Sequence, residues 1–426
     1  MPPRDDAALD PLYARVSWRL MPFLFLCYVV AYLDRVNVGF AKLQMLADLR
    51  FSDTVYGIGA GIFFIGYFLF EVPSNLLMTR VGARIWIARI MVTWGVISAA
   101  LMFTSSVASF YVLRFLLGAA EAGFFPGIIL YLTYWYPARR RARMVALFMS
   151  GVAVAGVVGG PLSGWIMQAC AGLYGLQGWQ WLFLLEGAPS VLVGIWTLFY
   201  LDDGIRAAQW LSEDDKRTLE QAIVEDNAGK AQLPLAQLFS SGKVWLLALI
   251  YFLFVMGLYG VSFWLPQMIK SSGVQDVLNV GLLTAIPYFV AAVAMVLAAR
   301  HSDRTGERRW HAACAALAGA AGLIGATVYS DNTVVAMVAL SVATAGILST
   351  FPLFWSLPTA MLGGAAAAAG IALINSVGNL AGFVSPYLVG AVKDATGSTG
   401  AGMVVLAASL LAGGVLVVAA VRPGKS

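Results

Sequence analysis

Twelve long apolar runs are the feature that most limits what this chain can become. They fall near residues 18–41, 55–78, 85–105, 108–135, 144–168, 179–201, 244–269, 277–299, 310–329, 333–358, 365–392 and 400–421. Each is about as long as the ~20 apolar residues a helix needs to cross a bilayer. In lipid, a segment must satisfy its own backbone groups, and an open chain does so only as a helix. The composition agrees: 60% of the 426 residues are hydrophobic and 12% are charged, against about 25% charged in soluble domains. The expectation is a multi-pass, all-α membrane protein of twelve transmembrane helices.

The polar segments set its organisation. The longest, 202–243, divides the spans into two sets of six. Three units follow: a first six-helix bundle over 1–201, a cytoplasmic linker over 202–243, and a second bundle over 244–426. WLSEDDKRTLEQAIVEDN within the linker reads as a short amphipathic helix at the membrane surface. With the N-terminus inside, cytoplasmic segments hold 21 of the 27 Lys and Arg, and the outer loops hold Lys42, Arg50, Lys270 and Lys393. Such a bias predicts that both termini face the cytoplasm. It also accounts for the net charge of +5 without a nucleic-acid partner. No cleavable signal peptide is expected, because the first 17 residues are polar and the next run is too long.

Other chemistry is disfavoured. Cys27, Cys170 and Cys314 lie in separate apolar segments and read as small buried hydrophobes, not as a disulfide framework or metal site. His301 and His311 flank one basic loop, so no histidine lies deep in a span. There is no HExxH and no nucleophile–base pair of an enzyme. Neither cofactor nor metal is expected.

Charges inside the spans carry the functional signal. Insertion scales put a charge at mid-bilayer at about 2.5–3.5 kcal/mol or more. The fourth run nevertheless keeps Arg114 and Glu121, about two helical turns apart and on one face. The first run keeps Asp34 and Arg35 past its middle. All four can share a depth slightly outside the midplane, although neighbours on a helix point about 100° apart. Asp34 and Arg35 therefore border one cavity without aiming at one point. Glu71 and Glu186 are the other acids in spans; each could be a proton relay, but each reads first as a helix-end partner of a nearby basic group. Asn375 and Asn379, one turn apart, and the aromatic Tyr259, Phe263 and Trp264 are further polar or aromatic candidates.

The halves echo each other. NLLMTRVGARIW follows the second run and ARHSDRTGERRW the eighth, with Gly82 and Gly306 aligned. A half-chain repeat marks a two-bundle transporter with its site between the halves. This duplicated loop resembles that of the major facilitator superfamily. The second copy is complete, with Asp303, Arg304, Gly306 and Arg308; the first keeps Arg80 but has Thr79 where the family has Asp. The resemblance implies a cytoplasmic conformational latch of Asp303, Arg304, Arg308 and Arg80, stronger on the Asp303 side.

AYLDRVNVGFA, FYVLRFLLGAAEAGFFPGIILYLTYWYP, GGPLSGWI and YGVSFWLPQMIK further resemble the anion:cation symporter family, which includes permeases for tartrate, sugar acids and phthalate. Over nearly the whole chain, this resemblance implies proton-coupled uptake of a small organic carboxylate by a monomer in the inner membrane. It assigns Asp34 and Glu121 to proton coupling, and Arg35 and Arg114 to the anion or its gate. It assigns Tyr32, Tyr67, Trp355 and Asn375 to the substrate cavity. A substrate carboxylate that draws an arginine away from its acid would leave that acid easier to protonate, which is the linkage symport needs. The alternative is an exporter or antiporter of the same fold.

Overall fold

A computed structural model describes residues 9–227, 241–361 and 364–420. Among them, twelve helical spans are long and apolar enough to cross a membrane. Spans one to six are Asp10–Leu49, Asp53–Val81, Ala83–Phe103, Val107–Thr133, Arg143–Ala169 and Gly178–Tyr200. Spans seven to twelve are Gly242–Ser271, Val277–Thr305, Arg309–Val328, Thr333–Pro358, Gly370–Thr396 and Thr399–Ala419. Several helices run past the apolar limits read from sequence, because their polar ends still make helical hydrogen bonds outside the hydrocarbon.

Span four departs from the expected continuous helix. It stops at Glu121 and resumes as Phe124–Thr133. Gly123 adopts the left-handed conformation (φ +87°) that glycine enters freely. Pro126 lies in the first turn of the resumed helix, where its missing N–H is tolerated. A side chain at Gly123 would also run into Ser74 of span two. The break thus leaves Glu121 as the last residue of a half-helix.

Small residues set how closely spans approach. A Cβ on Gly118 would strike the Phe63 carbonyl of span two, and one on Gly160 would meet the Gly281 carbonyl of span eight at 2.6 Å. Spans five and eight therefore meet backbone to backbone, as small-residue seams allow in membranes. Span eleven packs in the same way against span two, with Gly57 and Gly61 under Pro386 and Phe383.

Several polar contacts between the first six spans and the last six lie at one end of the bundle. There Lys42 Nζ pairs with Asp53 Oδ1 at 2.7 Å, and Lys393 Nζ pairs with Asp53 Oδ2 at 2.9 Å. The backbone N–H groups of Asp53 and Thr54 donate to the Asp394 carboxylate at 3.1 and 2.7 Å. Span eleven thus caps the first turn of span two, where an anion suits the helix dipole. Gln168 donates to Asp276 at 2.7 Å, and Tyr56 donates to the Phe263 carbonyl at 2.9 Å.

The linker is helical over Glu213–Asn227. Its beginning docks on the first six spans: Trp210 stacks on Trp135 with ring centroids 5.9 Å apart, and Leu211 and Leu219 are buried. Residues 228–240 lie outside the described residues. Of the three cysteines expected in the interior, only Cys27 is fully buried; Cys170 is intermediate and Cys314 is exposed on span nine.

Candidate substrate and proton site

The break in span four delivers Glu121 to span one. Arg35 Nε donates to Glu121 Oε1 at 3.1 Å, and Arg35 Nη2 closes a second bond on the same oxygen. Glu121 Oε2 is buried without a partner. The Glu121 side chain is 0% exposed and that of Arg35 is 11% exposed, so Arg35 is the less buried member of the pair. Its surroundings are aromatic: its Cζ lies 5.5 Å from the ring centroids of both Phe63 and Tyr67. Its Nη1 approaches the Tyr259 hydroxyl of span seven at 3.5 Å. One arginine from the first six spans therefore touches the last six.

The other charged candidates separate from this pair. Asp34 turns the opposite way, as its place beside Arg35 on a helix requires. Trp94 Nε1 and Ser98 Oγ donate to it at 2.9 and 2.7 Å, and Ser190 Oγ completes the set. Asp34 is fully buried among spans three and six. Arg114 is fully buried too; it donates from Nε to the Gly59 carbonyl and from Nη2 to the Ala60 carbonyl, both at 3.1 Å. In this conformation it clamps span four onto span two and shares no hydrogen bond with Glu121.

Of the remaining candidates, Tyr32 has a polar contact across the halves, within 3.4 Å of the Ser262 hydroxyl. Trp355 packs on Tyr251 with centroids 4.8 Å apart. Asn375 is half-buried on span eleven. Tyr259 has a larger place than its sequence context indicated, since it reaches Arg35. Trp94, Ser98 and Ser190 had no sequence signal beyond being polar in apolar runs, where an indole N–H or hydroxyl needs an acceptor.

Glu186 corrects an expectation. Its carboxylate meets Ser163 and Asn37, and no basic partner appears among the described residues. The loops also differ from an engaged latch. Arg80, Asp303 and Arg304 are exposed, whereas Arg308 Nη1 donates to the Ser356 carbonyl at 3.0 Å. In the first half, Asp203 takes the place of the missing acid: the Arg84 backbone N–H donates to it at 2.9 Å.

Known proteins share this sequence and fold. The family model described as Major Facilitator Superfamily matches residues 24–386. A protein of Pseudomonas putida named as the metabolite transport protein NicT is 50% identical, covering 97% of this chain and 95% of that one. A protein of Agrobacterium vitis named for tartrate transport is 51% identical, covering 96% and 92%. A quinolone resistance transporter of Acinetobacter baumannii is 42% identical, covering 94% and 93%. The crystal structure of a D-xylose-proton symporter has the same fold, with a TM-score of 0.74 at 16% identity over 95% of this chain and 98% of that one. With twelve apolar helices, this architecture and relatives that are transporters, the chain is a multi-pass membrane transporter and belongs to the major facilitator superfamily.

Proposed function

We propose that the protein takes up a small organic anion together with protons by alternating access in the inner membrane. The observation that carries this reading is the Arg35–Glu121 pair: a partly exposed arginine, held by a buried acid with one free oxygen, between the two sets of spans. Arg35 offers a planar fork matched to a carboxylate. An incoming anion competes with Glu121 for that fork. Glu121, once abandoned in a buried site, takes up a proton rather than remain an unpaired charge. Anion and proton then favour each other's binding. The relatives named for tartrate and metabolite transport fit a hydroxy-dicarboxylate, sugar acid or aromatic acid.

Residues 1–201 and 244–426 act as two bundles that rock about the site, joined by 202–243. With both termini in the cytoplasm, the closed end faces outward and the conformation opens inward. Arg80, Asp303, Arg304 and Arg308 re-engage when the cytoplasmic end closes. Asp34 is the second proton-coupling acid, and Tyr32, Tyr67, Trp355 and Asn375 shape the cavity. Arg114 enters the anion path only if it leaves the carbonyls of span two. The protein works as a monomer, with protons as the coupling ion.

Proteoliposome uptake of a panel of organic acids under an imposed inward proton gradient tests this. Wild type is expected to accumulate at least one acid, with collapse by a protonophore and no accumulation by Glu121→Gln. A Glu121→Gln variant that still concentrates the acid against its gradient removes Glu121 from coupling. The relative named for quinolone resistance favours a second reading, proton-driven export. That reading predicts substrate extrusion under the opposite gradient and no acid accumulation.

A further inference from the structure

The first six spans hold another buried acid that the exchange at Arg35 does not use. Glu186 of span six is 3% exposed. Ser163 Oγ donates to its Oε1 at 2.7 Å, and its Oε2 is buried without a partner. The Asn37 amide lies against this carboxylate, yet neither its Nδ2 nor its Oδ1 has a satisfactory hydrogen bond. Three orphaned polar atoms thus collect at one buried point, and such atoms are costly in a low-dielectric interior.

The titratable neighbour of Glu186 is Asp34 from span one, and Glu121 of span four lies within electrostatic reach of Asp34; spans three and five contribute Trp94, Ser98 and Ser163 to this pair of acids. Ser190, one helical turn beyond Glu186 on the same face of span six, donates to Asp34. Spans one and six therefore bring two carboxylates into one shell that contains no cation among the described residues. Two ionised carboxylates do not share such a shell, so one proton stays with the pair. The donors decide which acid keeps it. An ionised carboxylate only accepts, and Asp34 has three donors. Glu186 has one hydrogen bond, from Ser163, and an oxygen without a partner, with the Asn37 amide against the carboxylate. A proton on Glu186 Oε2 removes one of the two charges and turns that unpaired acceptor into a donor.

We infer that Glu186 is a proton-binding site separate from the Arg35–Glu121 pair, holding a proton while Asp34 is ionised. When Asp34 takes the proton, the O–H bond at Glu186 breaks as one forms at Asp34, and the charge of the pair stays the same. Ser163 also lines a cavity of about 20 Å³ with Ser262, Thr284 and Tyr288 between the halves. That space is about the size of one water and lies between Ser163 and the polar groups of spans seven and eight. The part this proton plays in transport rests on the symport reading; its presence on Glu186 does not.

Infrared difference spectroscopy of the purified full-length protein in lipid nanodiscs, between neutral and alkaline pH in H₂O and D₂O, tests the inference without any substrate. Wild type is expected to show a protonated carboxylic C=O band that shifts in D₂O. Glu186→Gln should lose it, and Glu121→Gln should keep it. Ser163→Ala, which removes one hydrogen bond but leaves the acid, should move the band without abolishing it. Matching melting curves confirm that each variant is folded. A wild-type spectrum without the band, a band retained in Glu186→Gln, or a band lost with Glu121→Gln would each overturn the assignment.

Discussion

Two charge clusters join the halves of this transporter, and they are built to opposite ends. At mid-depth, Arg35 meets one carboxylate, keeps 11% of its side chain exposed and leaves Glu121 Oε2 unpaired. Where the start of span two meets span eleven, Asp53 forms ion pairs with both Lys42 and Lys393, while Asp394 accepts from two backbone N–H groups of span two. Lys42 also lies 3.1 Å from the centroid of a Trp264 ring. The first cluster is under-satisfied, so a ligand carboxylate has something to gain there. The second is crowded with partners from four spans, so separating the halves must break several contacts together. On the proposed reading, ion pairing of the same kind serves as a binding site in the first cluster and as a seal in the second.

The largest effect should come from removing the partly exposed cation. Arg35→Ala leaves Glu121 buried alone, which costs about 3–5 kcal/mol for a broken buried pair. Substrate binding is expected to vanish and the melting temperature to fall, both measurable by ligand-dependent thermal shift. If Arg35→Ala instead binds anion with wild-type affinity, the mid-depth pair is structural and the contrast with the seal disappears.

Arg114 comes next. It donates to two span-two carbonyls, and hydrogen bonds to charged groups are worth about 1.5–3 kcal/mol each. Arg114→Met should lower stability by about 3–6 kcal/mol by that scale, while folded protein keeps the anion Kd of wild type. A Kd raised as far as by Arg35→Lys would return Arg114 to the anion path.

The seal gives a smaller and differently shaped response. Asp53→Asn weakens both lysine contacts and should move the population toward the conformation open at this end. A shift of about 1.4 kcal/mol is tenfold in that equilibrium. Distances between spin labels placed on spans two and eleven read it directly, and an unchanged distance distribution would deny the cluster a gating role. Trp264→Phe, which weakens a cation–π contact worth about 0.5–2 kcal/mol, should move the same distribution in the same direction by less.

Much of this could be read from the chain. Twelve apolar runs, the half-chain repeat about Gly82 and Gly306, and the charges buried in spans one and four follow from local facts: hydrocarbon thickness, backbone satisfaction and the cost of a charge in lipid. That Arg35 and Glu121 are candidates was legible because both are expensive where they stand. Gly123 and Pro126 were visible too, yet a break after Glu121 was not expected, since apolar length alone reads as one helix.

What only tertiary structure decided is pairing. Sequence placed Asp34, Arg35, Arg114 and Glu121 near one depth, but not which acid meets which base. Arg35 takes Glu121, Asp34 goes to Trp94, Ser98 and Ser190, and Arg114 goes to backbone carbonyls, because helix rotation and glycine-mediated approach fix the directions of side chains. Glu186, expected beside a basic group, finds Ser163 and Asn37. Burial cost is a property of one residue in its own span, so a sequence can declare it. A partner belongs to another span brought close by packing, and only the folded bundle settles which one arrives.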